Sequence, residues 1–424
     1  MSSDLVIIGA GPAGMAAAVA ASDCGKRVTV IDDNPAAGGQ IWRGIASESR
    51  DRQARSCFNR FANSGIRMIT SAQVISADAL SRTLLVETRD NGREFEFESL
   101  ILATGARELF LPFPGWTLPG VMGVGGIQAV AKSGLPLAGR SVVLGGSGPL
   151  LLAVAAYLQR HGATIKVIAE QAPRRSLVRF AAALWQSPSK LFQAAGLQAA
   201  LVSVPYRLGC WIEAAEGQGR VESVRLRQGN RVWSERCDFA GVAYGLEPNT
   251  ELAALLGCEI ERRGVRVDNM QRTSVDHIFS AGECTGIGGV DSALVQGRIA
   301  GYAAAGQFNR ARNLFRKRKS VLRFGNSLNR AFALRTELKH LPQPDTTVCR
   351  CEDVKFGRLK ELGSFRAAKL HTRCGMGPCQ GRICGPATNF LFGWRMESIR
   401  PPIIPARISS LALKSKALEE TAAK

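Results

Sequence analysis

The sequence predicts an α/β protein with two Rossmann-like units and a small cysteine-rich module. Residues 5–31 and 141–170 each have the pattern of a buried strand, a glycine-rich turn, a helix and a second strand. Strands that alternate with helices are typical of a parallel sheet covered by helices. Five of the 11 cysteines lie between Cys349 and Cys384, which indicates a metal centre near the C-terminal end.

Composition favours a multidomain globular chain. It has 424 residues, 46% of them hydrophobic and 45 of them glycine, so two or three domains are expected. The formal net charge of +20 is compatible with nucleic acid, an anionic membrane surface or an acidic protein partner.

The longest apolar run is broken by three glycines, and the N-terminus lacks the basic start of a signal peptide. We therefore expect a cytoplasmic protein whose cysteines bind metal or do redox work.

The first strand–turn–helix–strand segment carries the features of a dinucleotide-binding loop. Gly9 permits the sharp turn, Gly11 lets the backbone approach a pyrophosphate, and Gly14 lets the helix pack close to the strand. Asp32 follows the second strand, where a carboxylate accepts hydrogen bonds from a ribose. Glycine-rich turns also occur for packing alone, but the strand, helix and acid together favour a nucleotide. The candidate residues are Gly9, Gly11, Pro12, Ala13, Gly14, Asp32 and Asp33.

Three further motifs resemble those of the two-dinucleotide-binding-domain flavoproteins. They are GGQIWR (Gly38–Arg43), LILATGARE (Leu100–Glu108) and HIFSAGECTGIGGVDSALVQGRIAG (His277–Gly301). The resemblance covers residues 1 to about 310 and implies bound FAD, with Glu283 where the family more often has Asp. It adds the candidate FAD-binding residues Gly39, Gln40, Arg43, Ala103, Thr104, Gly105, Gly282, Glu283 and Gly289.

The second Rossmann-like unit is degenerate at its nucleotide loop. Gly146 and Gly148 take the first two glycine positions, but Leu151 takes the third, where a side chain pushes the helix off the strand. The ribose-acid position aligns with Ala169, and Glu170 comes one residue late. The resemblance implies NAD(P)H binding, yet these departures favour a vestigial unit or a site for another adenine nucleotide such as ATP or ADP.

Some chemistries are disfavoured by residues that are missing. Neither a C-x-x-C nor a C-x-x-x-x-C pair lies near the flavin-like motifs, so a disulfide reductase is not expected. None of the four histidines is paired with an obvious acid, so we assign no general base and no catalytic residue. Cys284, directly after Glu283, is expected to be structural.

The segment Asn309–Leu341 is strongly basic and amphipathic. It holds ten Lys or Arg and one Glu, with apolar residues interspersed. Such a helix suits an anionic membrane surface or nucleic acid. No aromatic base-stacking platform accompanies it, so we favour a packed helix whose basic face is solvated or meets an acidic subunit. We expect no nucleic-acid partner and no transmembrane segment, while peripheral contact with the inner membrane stays compatible with the charge.

The cysteine-rich module offers five thiols to one centre. Cys349 and Cys351 form a C-x-C pair, and Cys374, Cys379 and Cys384 follow at equal spacing among glycines. Four thiolates satisfy either a [2Fe–2S] cluster or a structural zinc. The absence of C-x-x-C pairs favours the cluster. Spacing alone does not decide which two of the last three cysteines are ligands.

The module resembles the bacterioferritin-associated-ferredoxin-like (BFD-like) domain. That domain ends the larger flavin subunits of opine oxidases, D-hydroxyproline dehydrogenases, hydrogen cyanide synthase and some proline dehydrogenases. The resemblance, carried by CRCEDV (349–354) and TRCGMGPCQGRIC (372–384), implies Cys349, Cys351, Cys379 and Cys384 as ligands and Cys374 as a spare thiol. It further implies an electron-transferring alpha subunit of a heteromeric amine or amino-acid dehydrogenase. The implied partners are a beta subunit with its own FAD and a small ferredoxin-like gamma subunit.

These motifs predict a domain order and leave two rival functions. We expect an FAD-binding domain (1–115 and 241–310) interrupted by the degenerate NAD(P)-type domain (116–240). A basic helical linker (311–344), the BFD-like [2Fe–2S] domain (345–400) and a tail (401–424) follow. The rivals are a self-sufficient NAD(P)H-dependent reductase and a non-catalytic nucleotide-binding scaffold.

Overall fold

The computed structural model describes residues 3–43, 51–184, 195–261, 264–396 and 399–413. The chain divides into two compact units. The first unit comprises Met1–Arg107, Pro248–Asn326 and Ser398–Lys424, and the second comprises Glu108–Glu247 and Ser327–Glu397. The end of the predicted tail, residues 414–424, lies outside the described residues.

Strands and helices alternate through much of the chain. The strands are β1 (Ser3–Ile8), β2 (Val28–Ile31), β3 (Arg67–Ile69), β4 (Gln73–Asp78), β5 (Thr83–Glu87), β6 (Gly92–Leu102), β7 (Ala106–Glu108), β8 (Val121–Gly123), β9 (Ser141–Gly146), β10 (Thr164–Glu170), β11 (Tyr206–Leu208), β12 (Cys210–Glu216), β13 (Ser223–Gln228), β14 (Arg231–Arg236), β15 (Phe239–Ala243), β16 (Leu246–Pro248), β17 (Ile260–Glu261), β18 (Gly264–Val265), β19 (Ile278–Ser280), β20 (Thr347–Cys349) and β21 (Val354–Lys355). The helices are α1 (Pro12–Ser22), α2 (Arg52–Ala62), α3 (Val124–Lys132), α4 (Leu150–Arg160), α5 (Arg174–Leu184), α6 (Glu251–Leu255), α7 (Gly289–Ala304), α8 (Phe308–Arg312), α9 (Phe315–Ala331), α10 (Phe356–Leu359), α11 (Phe365–Thr372) and α12 (Cys384–Phe392). Short 3-10 helices span Glu283–Thr285 and Thr336–His340.

The first unit is built on a seven-stranded sheet in the order β3-β2-β1-β6-β5-β4, with β19 paired to β6. Strands β3, β2, β1, β6 and β19 run parallel, whereas β4, β5 and β6 form an antiparallel ribbon. The central strand β1 is buried from Leu5 to Ile8, as its continuous apolar run predicts. The glycine loop therefore begins at the carboxyl end of a fully covered strand.

Helix α1 packs very closely against α7 because small residues line both surfaces. α1 is mostly alanine and is buried along nearly its whole length. A Cβ added at Gly297 would lie 2.1 Å from the carbonyl oxygen of Ala13, and one added at Gly301 would lie 2.3 Å from that of Ala17. Protein interiors are close-packed and yield little to added atoms, so α7 needs glycine at both positions. This contact fixes the first turn of α1 beside the middle of α7.

We expect Gly297→Ala to destabilise the first unit, because the added methyl group forces α7 away from Ala13. Overpacking of this kind costs about 1–3 kcal/mol, and thermal unfolding followed by circular dichroism measures it. Gly126→Ala in α3 is the matched control, since a Cβ there comes no closer than 4.0 Å to another atom and alanine favours helix interiors. A melting temperature for Gly297→Ala equal to that of the wild type would contradict the close packing of α1 and α7.

The second unit contains a five-stranded parallel sheet in the order β11-β10-β9-β15-β8. A three-stranded antiparallel sheet, β12-β13-β14, belongs to the same unit. The segment β9–α4–β10 is the second predicted Rossmann segment. Leu151, which replaces a glycine there, is fully buried in an apolar cluster that includes Leu144 of β9 and Val154 of α4.

The predicted α/β class with two Rossmann-like units is confirmed. The basic segment Asn309–Leu341 folds into most of α8, then α9 and the 3-10 helix Thr336–His340. The cysteine-rich segment consists of the β20–β21 ribbon and helices α10, α11 and α12. Across the part of the chain that the structure describes, no helix is long and apolar enough to cross a membrane.

The last described residues pack on the first unit. The Ile403 amide donates a hydrogen bond to the Ile75 carbonyl at 2.9 Å. The Arg407 guanidinium forms an ion pair with Glu87 at 3.0 Å, and the Arg407 amide donates to the same carboxylate at 2.9 Å. The chain therefore returns from the cysteine-rich segment to β4 and β5.

Candidate nucleotide loops and cysteine centre

The first glycine loop is a backbone cradle that side chains would fill. Gly9 has φ +103, and a Cβ there would lie 2.3 Å from the Ala103 carbonyl oxygen. A Cβ at Gly14 would lie 1.8 Å from the Gly9 carbonyl oxygen. Helix α1 starts at Pro12, and its N-cap Gly11 brings no side chain to the first-turn N–H groups. Uncapped amides at a helix N-terminus are suited to phosphate oxygens.

Asp32 fastens this loop to the end of β2. Its carboxylate accepts a hydrogen bond from the Ala10 amide at 2.5 Å and from the Asn34 amide at 2.7 Å. Asp33 is exposed and accepts from the Asn34 side chain at 2.7 Å. Arg43 donates to the Asn34 side-chain oxygen at 2.6 Å. Three predicted residues thus meet around an asparagine that sequence analysis did not single out.

Gly39 faces the same loop. Its φ is +59, and a Cβ added there would lie 3.0 Å from the Gly11 Cα. Gly38 donates its amide hydrogen to the Ala10 carbonyl at 2.8 Å, which holds this turn against the loop. The Gln40 side chain is exposed. Glycine at position 39 therefore lets this turn pack directly against the backbone of the first loop.

The turn Ala103–Gly105 is held by Asn249, a residue that sequence analysis missed. Thr104 Oγ1 donates to the Asn249 carbonyl at 2.7 Å, and the Asn249 side chain donates to the Thr104 carbonyl at 2.8 Å. The Asn249 amide also donates to the Gly105 carbonyl at 3.0 Å. Arg107 bonds the Asn249 side-chain oxygen at 2.6 Å and pairs with Glu251 at 2.8 Å. The only local signal for Asn249 is its place in a turn after Pro248.

The closing motif lies against the first turn of α1. Gly282 has φ +86, and a Cβ there would lie 2.7 Å from the Ala13 Cβ. Burial raises the pKa of Glu283, although a hydrogen bond from the Gly289 amide partly offsets it. Among the described residues, the buried Ser292 hydroxyl in the first turn of α7 has no hydrogen-bond partner. An orphaned polar group beside a helix N-terminus fits a site that a polar ligand completes.

Cys284 has the surroundings of a packing residue. It is fully buried, and its Sγ lies 3.2 Å from both the Ser280 hydroxyl and the Ala281 carbonyl oxygen. Burial raises the pKa of its thiol. A neutral, enclosed thiol is a poor nucleophile.

The second loop is fastened by Glu170, not by a residue at the aligned position Ala169. The Glu170 carboxylate accepts from the Gly148 amide at 2.7 Å and from the Ala172 amide at 2.8 Å. Asp32 binds the first loop in the same way, through one loop amide and the amide two residues further along. Burial raises the pKa of Glu170 to about 7, despite these hydrogen bonds. The second unit therefore retains the loop–acid contact of the first.

The five clustered thiols form a buried group of three and an outer pair. The Sγ atoms of Cys349, Cys374 and Cys384 all lie within 4.8 Å of one another and are buried. Cys351 is exposed and shares a hydrogen bond with the half-buried Cys379. Hydrogen bonds from Cys374 and Cys384 lower the pKa of Cys349 to about 2. An all-sulfur donor set at this density fits a soft metal or an iron–sulfur cluster.

Glycines bring the backbone close around these thiols. A Cβ at Gly377 would lie 2.3 Å from the Cys351 Cβ, and one at Gly375, with φ +82, would lie 2.6 Å from the Phe365 ring. The structure thus brings the predicted ligands Cys349 and Cys384 together and places Cys351 with Cys379. It also brings Cys374, the predicted spare thiol, into the buried group.

The fold and the first loop define a flavoprotein-type oxidoreductase with two Rossmann-like units. The profile of the family described as pyridine nucleotide-disulphide oxidoreductase matches residues 3–307. The chain belongs to this family, and membership implies FAD as cofactor. The cysteine-rich segment lies beyond the matched residues.

Similar proteins extend the match over nearly the whole chain. An opine oxidase subunit of Agrobacterium tumefaciens (strain Ach5) is 32% identical, with 96% of this chain and 91% of that protein covered. Hydrogen cyanide synthase subunit HcnB of Pseudomonas protegens is 30% identical over 91% and 90% of the two chains. The crystal structure of L-proline dehydrogenase from P. horikoshii matches with a TM-score of 0.69 at 20% identity, over 97% and 79%, which supports the fold alone. The resemblance to opine oxidase and hydrogen cyanide synthase subunits is confirmed.

Proposed function

We propose that the chain is the electron-transferring subunit of a heteromeric amino-acid dehydrogenase or oxidase with substrates of the proline, hydroxyproline or opine type. A beta subunit with its own FAD oxidises the CH–NH or CH–NH2 donor, and a small ferredoxin-like gamma subunit is compatible with the assembly. When bound, FAD supplies one- and two-electron redox chemistry and a [2Fe–2S] cluster supplies one-electron transfer. The residues of this chain hold both groups.

This proposal rests on the fact that one chain carries both a candidate dinucleotide loop and a cluster of thiols suited to a metal. The first loop offers a cradle for a dinucleotide, and the cysteine segment offers three buried thiols and an adjoining pair. The opine oxidase and hydrogen cyanide synthase relatives are both named as subunits, which supports a heteromeric assembly. Electrons that enter from a partner need no local substrate pocket in this chain.

The proposed function assigns the residues of the first loop and of the neighbouring motifs to parts of FAD. Gly9, Gly11 and the N-terminus of α1 receive the FAD pyrophosphate, and Asp32 receives a ribose. Glu283 and the N-terminus of α7 face the ribityl and flavin region. Asn249 fixes the Thr104–Gly105 turn through three hydrogen bonds.

The principal alternative is a self-sufficient NAD(P)H-dependent reductase. One observation favours it: Glu170 fastens the second loop as Asp32 fastens the first. The alternative requires that NADH or NADPH reaches that loop.

Anaerobic reduction of the bound flavin separates the two functions. The purified lone chain is expected to keep its oxidised flavin spectrum with NADH, NADPH or amino acids, and to bleach with dithionite as the control. With its co-purifying partner present, an imino or amino acid should bleach the flavin and reduce an added dye. Fast, saturable bleaching of the lone chain by NADH would overturn the proposal in favour of the reductase, and a chain purified without flavin would favour a scaffold.

A further inference from the structure

The second nucleotide loop is covered by a segment of the same unit. This cover segment, Phe332–Arg335, follows α9 directly. The Ser147 hydroxyl donates to the Phe332 carbonyl at 2.9 Å, and the Gln171 side chain donates to the Ala333 carbonyl at 3.2 Å. The Arg335 amide donates to the Gln171 side-chain oxygen at 3.1 Å. Three hydrogen bonds therefore hold main-chain atoms of the cover segment over the loop.

The covered position is where a dinucleotide would bind. Ser147 lies between Gly146 and Gly148 at the carboxyl end of β9, and Gln171 directly follows β10. Ligands of open α/β sheets bind outside the carboxyl ends of the parallel strands. Ser147 and Gln171 are buried, and the Gln171 side chain also donates to the Ser147 hydroxyl at 2.8 Å. The side chains of Ser147 and Gln171, which would face a bound nucleotide, are thus already hydrogen-bonded within this chain.

Side chains anchor the cover segment on both sides. The Phe332 ring packs edge-on against Phe180 of α5 at 5.6 Å between centroids. The Arg335 guanidinium lies 4.7 Å from the centre of the Trp211 ring and pairs with Glu337 at 2.5 Å. Aromatic and cation–π contacts of this kind favour one fixed position of the segment.

The loop beneath the cover segment keeps features of a binding loop. Gly148 is buried, yet a Cβ added there would meet no atom within 4 Å, so open space remains beside the loop. The Leu151 side chain packs into the apolar cluster of α3 and α4. The departure from the glycine pattern at Leu151 therefore does not fill the loop, whereas the cover segment lies across it.

We propose that the cover segment is a specificity element that excludes adenine dinucleotides from the second loop. The role rests on the proposed function, in which a partner protein supplies the electrons. NAD(P)H bound at the second loop would compete with that partner by reducing the flavin directly. Because the segment is held by the side chains of Ser147 and Gln171, their removal exposes a loop that still carries Glu170 and Gly148.

Isothermal titration of the FAD-loaded protein with ADP-ribose tests this proposal directly. The wild type is expected to show no saturable binding in the millimolar range, whereas Ser147→Ala/Gln171→Ala should bind. Loss of three hydrogen bonds raises the population with an open loop, and hence the affinity, by about a hundredfold. Thr336→Ala, an exposed change just after the segment, is the matched control and should behave as the wild type. Saturable binding by the wild type, or none by a folded double variant, overturns the proposal.

A measurement on the wild type keeps the proposal testable should the double variant misfold. The Arg335 amide, bonded to Gln171, is expected to exchange its hydrogen as slowly as amides of β9 and β10. Exchange as fast as in an exposed loop would show that the segment is not seated, and would overturn the proposal. Neither experiment depends on amino-acid oxidation, so a failure of the proposed function would be seen separately.

Discussion

The Gly11→Val variant is expected to fold as the wild type does and to purify without FAD. A Cβ at Gly11 comes no closer to another atom than 3.9 Å, at the Gly39 Cα. The main chain therefore leaves room for a Cβ at Gly11, in the space beside the α1 N-terminus and the Gly38–Gly39 turn. That space is where we place the FAD pyrophosphate, so we expect a loss of about a hundredfold or more in FAD affinity, or about 3 kcal/mol.

Two comparison variants separate a lost ligand from a lost fold. Gly14→Val places a Cβ 1.8 Å from the Gly9 carbonyl oxygen, so it should lose the fold and the FAD together. Gly126→Ala, in the second unit, should keep both. FAD released on denaturation and the thermal unfolding of the apoprotein are measured for each variant. A normal FAD content in Gly11→Val would remove the basis for assigning the cofactor to this loop.

The sequence predicted the features that depend on neighbouring residues. The turn at Gly9, the helix start at Pro12 and the acid at Asp32 fall within one strand–turn–helix–strand segment, and the structure shows them in one arrangement. Residue type alone carries much of this information, because only glycine tolerates φ +103 next to the Ala103 carbonyl oxygen.

Features that depend on distant residues were not predictable in this way. Asn249 bonds Thr104 across 145 positions of the chain. The hydroxyl of Ser147 meets the Phe332 carbonyl across 185 positions. No local pattern marks such contacts. Glu170, one residue after the aligned position Ala169, accepts its loop hydrogen bond from the Gly148 amide, and alignment on Gly146 does not predict that contact.

The cysteine centre lies between these two cases. Clustering in sequence predicted that the thiols meet, and the Sγ atoms of Cys349, Cys374 and Cys384 do gather within 4.8 Å. Spacing did not predict which thiols are buried, because that depends on how the chain returns from α11 to α12. Cys374 comes just after α11 and Cys384 begins α12, and both reach Cys349 at the end of β20.

Changing Cys349 or Cys384 to Ser is expected to destroy the metal centre. Both thiols lie in the buried group and belong to the ligand set that the resemblance implies. Serine oxygen is a harder and poorer donor to iron than thiolate sulfur. Iron and acid-labile sulfide content, with the electron paramagnetic resonance signal of the reduced protein, measure the loss. Zinc without sulfide in the wild type would contradict a [2Fe–2S] cluster and indicate a structural zinc site.

The iron and sulfide contents of Cys374→Ala and Cys379→Ala, compared with each other, then decide which thiol is not a ligand. A [2Fe–2S] cluster takes four thiolates, and this site offers a buried three and an outer pair. We propose Cys349 and Cys384 from the buried group and Cys351 and Cys379 from the pair. Cys374→Ala should then retain iron and sulfide, and alanine avoids burying a new hydroxyl group. Cys379→Ala should lose them. If Cys374→Ala loses the cluster and Cys379→Ala keeps it, all three buried thiols are ligands and the proposed set is wrong.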